Sequence, residues 1–341
     1  MINLKKVIVL LTILLLMVGC NSTTSPDNNI SEIIQDDSHS FLSLSDAYPN
    51  HSSQDQIIEH LTYSLKYNES YEQADWVIYL LSSDHLNGTQ ERTENFRIDP
   101  DVETGSAALD DYKYSGYDRG HLAPAGDMTW SYNAMSESFY LSNMSPQDAS
   151  FNRGIWKKLE SYVRTWASEN EEIYVVTGPI LAETLQTIGV NNVAVPDYFY
   201  KVILDYKEPE LKGLGFILKN ESSQSSVESF AVSIDAVEAL TGIDFFPSIP
   251  DSEENLIEYS CDVSKWTFTA YANDSENPDD GEDPIDDSED DQSTITVYVT
   301  NTGSKYHLSG CRYLSQSKIS ISLSNAKAQG YTPCSVCNPP R

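Results

Sequence analysis

The stretch Tyr117–Met128, YDRGHLAPAGDM, places Asp118, Arg119, Gly120 and His121 side by side and continues with apolar Leu-Ala-Pro. A buried strand would not tolerate three ionisable side chains in such a short run, and a surface loop would not need the apolar residues that follow. Neutral imidazole accepts a proton near pH 7, so His121 is a candidate general base. The pattern indicates a reactive site whose nature depends on which other residues meet His121 in the fold.

A second group of reactive side chains lies near the C-terminus, in YHLSGC and PCSVC. It consists of two close pairs separated by 22 residues, His307 with Cys311 and Cys334 with Cys337. Four ligands at this spacing suit tetrahedral Zn²⁺ in a closed structural site. Disulfide bonding is the alternative in an oxidising compartment, but it would not need His307. We therefore predict a small zinc-knuckle-like module that metal holds together, because so short a segment has little core of its own.

The elements that position the first group can be predicted from the apolar pattern of residues 41–271. NRGIWKKLESYVRTWASE predicts a long helix, because apolar residues recur every three or four positions from Ile155 to Trp166. A shorter helix follows Ser233 and ends at Gly242. Strands before and after the long helix predict an α+β fold with a largely antiparallel central sheet. Six apolar runs predict these strands: Trp76–Leu81, Phe139–Met144, Ile173–Gly178, Phe199–Leu204, Gly215–Asn220 and Ser229–Ile234.

A polar stripe runs along the predicted long helix beside its apolar face. The four residues of the stripe are each four positions apart: Asn152, Trp156, Glu160 and Arg164. Taken alone, this stripe is equally consistent with a solvated helix face that carries a Glu160–Arg164 ion pair.

Together, the two segments closely resemble the DNA/RNA non-specific endonuclease family of ββα-metal (His-metal finger) nucleases. The resemblance covers roughly residues 55–265 and includes NFRIDPDV before the first motif and VVTGPI after the helix. It depends on three groups of residues: Asp118-Arg119-Gly120-His121; Asn143 with Ser145-Pro146-Gln147; and Asn152 with Trp156, Leu159 and Glu160.

This resemblance implies a metal-dependent phosphodiesterase site. His121 would activate a water molecule as general base, and Asn152 would be the direct protein ligand of Mg²⁺, with Mn²⁺ or Ca²⁺ as alternatives. The metal would stabilise the leaving oxygen and the charge that develops on phosphorus. Asp118 or a backbone carbonyl would fix the tautomer of His121.

The same resemblance assigns roles to the charged residues around the metal. Arg119 and Arg164 would hold phosphate oxygens as fixed positive forks, and Arg92 is a further candidate for a phosphate contact. Glu160 and Asn143 would organise water and the loop around the metal.

The N-terminal segment, residues 1–20, has two lysines, a short apolar run and Gly19-Cys20, which is typical of a secretory signal. Its end resembles the lipobox of bacterial lipoproteins, so lipidation of Cys20 is predicted; simple secretion is the alternative. Residues 21–40 read as a flexible tether. The mature protein is therefore expected outside the cytoplasm, anchored to a membrane through Cys20 or, in the alternative, secreted.

Charge divides the rest of the chain. The net charge is −31, and eleven acidic residues lie between Asp274 and Asp291. This composition predicts an acidic disordered linker over residues 272–293, between a nuclease domain at 41–271 and the Cys/His module at 294–341. The module contains basic residues and no acid, so it could capture substrate or attach to a cell surface. An acidic main domain argues against broad electrostatic attraction to nucleic acid.

Three functions compete on these observations. The first is a sugar-non-specific endonuclease that hydrolyses DNA and RNA outside the cell. The second is a non-catalytic surface lipoprotein that binds nucleic acid or a protein partner, but such a protein would be expected to have lost His121 or Asn152. The third is a phosphatase or phosphodiesterase for small substrates, which the absence of a dense two-metal carboxylate cluster disfavours. DNA and RNA are the partners expected; the sequence predicts no protein partner and no oligomeric state.

Overall fold

The computed structural model describes residues 42–276, 296–315, 317–337 and 339. The predicted signal segment, the tether, Cys20 and most of the predicted acidic linker lie outside the described residues. Within these ranges, no helix has the length and apolar character needed to cross a membrane.

A seven-stranded sheet forms the centre of the main domain. Its strand order is β1-β2-β3-β6-β9-β10-β11, and every neighbouring pair is antiparallel. The strands are β1 (Gln56–Glu59), β2 (Ser64–Asn68), β3 (Gln73–Ser82), β6 (Glu172–Pro179), β9 (Tyr198–Asp205), β10 (Lys212–Lys219) and β11 (Ala231–Val232).

The two faces of the sheet bury separate apolar clusters, because successive side chains of a strand point to opposite faces. In β3, Val77 and Tyr79 belong to one cluster, while Trp76 and Ile78 belong to the other. The long helix covers the first face. Helices α4 (Ile234–Thr241) and α5 (Asp251–Tyr259) cover the second.

A smaller finger carries the reactive segment. Strands β4 (Asp118–His121) and β5 (Met144–Gln147) pair antiparallel, with His121 opposite Met144. The chain then enters a π-helical stretch, Phe151–Trp156, which continues as helix α3 (Lys157–Asn170). Two strands followed by a helix give the predicted ββα arrangement. Peripheral elements complete the domain: α1 (Leu109–Tyr112), α2 (Tyr132–Glu137), β7 (Gln186–Ile188) and β8 (Val193–Val195).

Two of the six predicted strands were misplaced. Phe139–Met144 is mostly a turn with a 3₁₀ segment at Leu141–Asn143, and only Met144 begins a strand. Its apolar residues instead fill a satellite cluster beneath the finger. Ser229–Ile234 contributes only the short β11, because a 3₁₀ turn and the N-cap Ser233 of α4 occupy its ends. The end of α4 is as predicted: Gly242 adopts φ 71°, the left-handed conformation that favours glycine.

The main domain extends further than its predicted boundary at residue 271. Ala272–Glu276 forms a 3₁₀ segment, and Asp274 Oδ1 accepts a hydrogen bond of 2.9 Å from Arg164 Nε. The first residues assigned to the linker are therefore part of the folded domain. Composition alone concealed this, because the buried partner of Asp274 lies 110 residues away in the chain.

The C-terminal module contains short elements only. Strands β12 (Thr296–Val299) and β14 (Ile319–Ser322) pair antiparallel, and β13 (Lys305–Tyr306) pairs parallel with β15 (Thr332–Pro333). Helix α6 (Leu323–Ala328) packs on β12 and β14. Strand β12 thus lies within ITVYVT, and α6 lies within SLSNAKAQGY.

Candidate active site

The loop between β4 and α2 is fixed by one buried amide. Asn143 accepts a hydrogen bond from Ala123 N at 2.9 Å and donates to Ala123 O and Ser138 O. All of these groups are buried, so their hydrogen bonds hold the backbone that follows His121 in one conformation. Asn143 thus organises the loop, and none of its hydrogen bonds among the described residues reaches the cleft.

Asn152 is oriented by the acid of the reactive motif. Its Nδ2 donates to Asp118 Oδ2 at 3.0 Å. Arg153 donates two further hydrogen bonds to the same carboxylate, from Nε at 2.9 Å and Nη2 at 2.7 Å. Since the amide nitrogen is engaged by Asp118, Asn152 presents its oxygen to the cleft that it lines. Among the described residues the hydrogen bonds of the Asp118 carboxylate go to Asn152 and Arg153, so the group that fixes the tautomer of His121 stays a prediction.

The helix register differs from the predicted stripe. The amide of Lys157 donates to the carbonyl of Asn152, five residues earlier, because the turn is π-helical. Trp156 therefore points into the core and is fully buried, not onto the polar stripe. Lys157, instead of Trp156, lies beside Asn152. Glu160 and Arg164 also line the cleft. A regular four-residue spacing could not reveal this inserted position.

His121 lies at the inner wall of the cleft with an unused nitrogen. The residue is 8% exposed, and its Nε2 has no hydrogen-bond partner within the described ranges. The Phe139 ring packs edge-on against the imidazole at 4.9 Å between centroids. Burial, followed by the charges of Arg92 and Arg119, lowers the pKa of His121 well below its usual 6.5. The imidazole is therefore neutral at pH 7 and able to accept a proton.

Cationic side chains surround this imidazole. The Arg119 guanidinium lies 3.9 Å from the centroid of Phe96, and Arg92 lies 4.9 Å from that of Phe139. Stacking on a ring fixes the plane of a guanidinium. Arg92 and Lys157 line the cleft with His121. Sequence reasoning assigned no role to Lys157 or Arg153, although Arg153 directly follows the predicted metal ligand.

Arg164 has a different role from the predicted one. Its side chain is 4% exposed, and it donates to Asp127 Oδ1 at 2.8 Å and to both carboxylate oxygens of Asp274. Tyr79 donates to the other oxygen of Asp127 at 2.8 Å. A guanidinium whose N–H groups already bind two carboxylates has no pair of N–H groups left to bind a phosphate. Arg164 thus lines the cleft as a buried, neutralised group and joins Asp127 to Asp274.

The donor set fits a hard divalent cation. An amide oxygen on a fixed side chain, beside the Glu160 carboxylate, is the oxygen-rich environment in which Mg²⁺ keeps several waters. The Nε2 of His121, which has no hydrogen-bond partner among the described residues, faces the same cleft. A water bound there would lie next to a general base and among positively charged side chains.

Comparison with known proteins agrees with this geometry. The family model for DNA/RNA non-specific endonuclease matches residues 45–252. The chain belongs to the DNA/RNA non-specific endonuclease family. It is accordingly a nuclease, a hydrolase, and the predicted ββα-metal fold is confirmed.

Relatives and a solved structure show the extent of this family likeness. Mouse (Mus musculus) "Nuclease EXOG, mitochondrial" is 35% identical over 258 residues, which are 65% of this chain and 70% of the mouse protein. The human (Homo sapiens) protein of the same name is 36% identical over 232 residues, 61% of this chain and 63% of that protein. A crystal structure of an EndoG/EndoGI complex has a TM-score of 0.57 and 31% identity, covering 62% of this chain and 92% of that one.

Outside the matched region of the endonuclease, the structure brings the four predicted module ligands together. Ligand atoms of His307, Cys311, Cys334 and Cys337 all lie within 4.8 Å of one another. Backbone amides of Leu308 and Val336 point at Cys337 Sγ and Cys334 Sγ, each at 3.4 Å. The three cysteines are free thiols. One small ion fits such a cluster, and amide-to-sulfur hydrogen bonds suit thiolate ligands.

Proposed function

We propose that this endonuclease hydrolyses phosphodiester bonds of both DNA and RNA with the help of one divalent cation bound at Asn152. The observation that carries the proposal is the unpartnered, buried Nε2 of a neutral His121 in the same cleft as the oriented amide of Asn152. Because Nε2 makes no hydrogen bond within the described residues, this nitrogen does not stabilise the fold through one.

His121 acts as the general base. Its Nε2 takes a proton from an attacking water while the water oxygen bonds to phosphorus and the bond from phosphorus to the leaving oxygen breaks. The low pKa keeps the imidazole in its accepting form, and the rigid loop held by Asn143 keeps it in place. General base catalysis of this kind contributes about 10²–10⁴ in rate.

Asn152 would hold Mg²⁺, with Mn²⁺ or Ca²⁺ as alternatives. When bound, the cation would neutralise charge on the phosphate and on the departing oxygen. Asp118 acts through Asn152 as a positioning residue: it holds the amide nitrogen, and Arg153 holds Asp118. Glu160 would orient the waters that complete the coordination shell.

Arg119, Arg92 and Lys157 bind the substrate phosphates. Arg92 and Lys157 line the cleft, and the charge of Arg119 acts on the same His121, so positive charge is concentrated at one place of an acidic domain and attraction to a polyanion is local. A cationic side chain that binds a phosphate reads neither a base nor a 2′-hydroxyl, which suits cleavage without sugar preference.

The direct test is to incubate the chain, purified without residues 1–20, with plasmid and with structured RNA, each with Mg²⁺ and with EDTA. We expect both substrates to be cut internally in Mg²⁺ and neither in EDTA. The alternative, a non-catalytic surface lipoprotein, predicts binding of nucleic acid with no cleavage in any metal. Cleavage of one polymer only would refute the lack of sugar preference.

We further propose that the protein is exported and anchored by a lipid on Cys20, and that the C-terminal module binds one structural Zn²⁺. Support for export is the N-terminal pattern alone. Support for zinc is the convergence of one imidazole and three free thiols. Metabolic labelling with a radioactive fatty acid tests the anchor: wild type should incorporate label, and Cys20→Ala should not.

A further inference from the structure

Carboxylates converge on the face of the sheet that is opposite the nuclease cleft. Helix α4 contributes Asp235 and Glu238, which are close to one turn apart, and helix α5 contributes Glu258. One oxygen from each of the three lies within 4.8 Å of the others. The two helices pack against each other, so these oxygens come from elements that the core already holds in place.

Glu258 is the innermost of the three. It is 7% exposed, and its Oε1 is buried with no hydrogen-bond partner among the residues described. By contrast, Glu238 accepts a hydrogen bond of 2.8 Å from the backbone amide of Phe245. Burying a carboxylate oxygen without a donor is costly. The unpartnered oxygen of Glu258 therefore points to a ligand that the protein chain does not supply.

Further carboxylates around Glu258 strengthen the need for a positively charged ligand. Glu254 lies one turn earlier on α5, and Asp244 lies in the loop after α4. No ion pair in the described part of the chain includes any of the five carboxylates. Burial, followed by the charges of Glu238, Glu254, Asp235 and Asp244, raises the pKa of the Glu258 carboxyl to about 9. Five carboxylates at one place, with one oxygen buried and unpartnered among the described residues, favour a cation there.

We propose that Asp235, Glu238 and Glu258 form a Ca²⁺ site that is separate from the catalytic cleft. Ca²⁺ accepts six to eight oxygen ligands in flexible geometry, which three carboxylates from two helices and additional waters can provide. Mg²⁺ requires a stricter octahedron and loses water reluctantly, so it fits this arrangement less well. A bound Ca²⁺ would join α4 to α5 and stabilise this side of the domain. This role lies beyond the nuclease reaction.

Thermal unfolding of the full chain tests the site. Asn152→Ala is present in every sample, so that Ca²⁺ at the catalytic cleft contributes little, and the remainder is the same in all variants. All five tryptophans lie between residues 76 and 266, so tryptophan fluorescence reports the main domain alone. With a Kd of about 10⁻⁴ M, 10 mM Ca²⁺ should raise Tm by about 5–10 °C at constant ionic strength. Mg²⁺ at the same concentration should raise it less.

Two variants separate a cation site from a protonated buried acid. Glu258→Gln should abolish the rise in Tm, while Glu169→Gln, an exposed control on α3, should leave it unchanged. If Glu258→Gln does not fold, the exposed Asp235→Asn should still weaken Ca²⁺ binding by about tenfold or more. A Tm that does not respond to Ca²⁺ would overturn the proposal, and so would a response that survives both substitutions.

Discussion

The main domain and the C-terminal module are held together by different means. In the domain, apolar clusters fill both faces of a seven-stranded sheet, and large side chains such as Trp76, Trp156 and Trp166 are fully buried. The described residues of the module form two small apolar clusters. One includes the cysteines of the four-ligand group with Leu314, and the other consists of Val297, Val299, Tyr306, Leu323 and Ala326.

This difference teaches what a metal is for in each unit. The domain has enough buried apolar area to fold without an ion, so the cation that we propose at Asn152 would serve the reaction. The module has too little core, so the zinc that we propose there would serve the fold. Chelation should therefore abolish the activity of the main domain and unfold the C-terminal module.

The largest effect is expected from removing zinc from the module. Structural Zn²⁺ contributes about 10–16 kcal/mol in small zinc domains, so a strong chelator should unfold the module and expose its thiols to a thiol reagent. Tryptophan fluorescence of the domain should not change. Reductant alone should unfold nothing. If reductant exposes the thiols and chelator does not, the disulfide alternative is correct.

His121→Ala should reduce cleavage of plasmid and RNA by about 10²–10⁴, because the base that accepts the water proton is lost. The domain should keep its Tm and the module its zinc. His51→Ala, at an exposed histidine outside the cleft, is the matched control and should cut at the wild-type rate. Wild-type activity of the His121 variant would remove the proposed mechanism.

Asn152→Ala should reduce the rate by about 10²-fold, since one neutral oxygen ligand positions a cation worth several kcal/mol in the transition state. Excess Mg²⁺ should restore activity only in part. The measurement is the initial rate against Mg²⁺ concentration, for which Asp118→Asn should give a weaker shift in the same direction. A variant that remains fully active in EDTA would contradict the assignment.

Asp274→Asn tests where the domain ends. The change removes one of the two carboxylates that neutralise buried Arg164, so we expect a loss of about 1–3 kcal/mol in the free energy of unfolding. Asp110→Asn, at an exposed position, should cost nothing measurable. Truncation after residue 271 should destabilise the domain more than truncation after 276. Equal stability of the two truncated chains would return the boundary to 271.

The smallest effect is a shift in pH dependence. Activity requires neutral His121, so kcat/KM should fall only as the pH drops through a pKa below 6.5. Arg92→Gln removes one positive charge that lowers this pKa, so the acid limb should move toward higher pH by up to about one unit. Lys113→Gln, an exposed control, should not move it. A shift toward lower pH would contradict the electrostatic account of His121.

The sequence was most informative where local pattern decides structure. The apolar run Trp76–Leu81 predicted a strand correctly, and Ser233 and Gly242 marked the two ends of α4. The motifs that contain His121 and Asn152 led to the cleft. It failed where distant residues decide. Asp118 contacts Asn152 across 34 positions, and Arg164 is neutralised by Asp274 across 110. Neither contact leaves a periodic signal.

The role of Arg164 shows the same limit. A guanidinium on a polar stripe looks like a phosphate ligand until its neighbours are known. Its charge alone does not show whether it is buried in an ion pair or free to bind substrate. Burial and the two carboxylates decide the matter, and both are properties of the folded chain.

The π turn at Phe151–Trp156 makes the cleft sensitive to the number of residues in the helix as well as to their identity. Each helical residue turns the chain by about 100°. Deleting Gly154 would let this turn rewind as a regular α-helix, with every residue from Lys157 onward keeping its place in the core. Asn152 would then rotate away from His121. Deletion of this one glycine would thus give a folded protein that keeps every side chain of the cleft. Arg92, Arg119 and Lys157 would still bind nucleic acid, but the protein would not cut it.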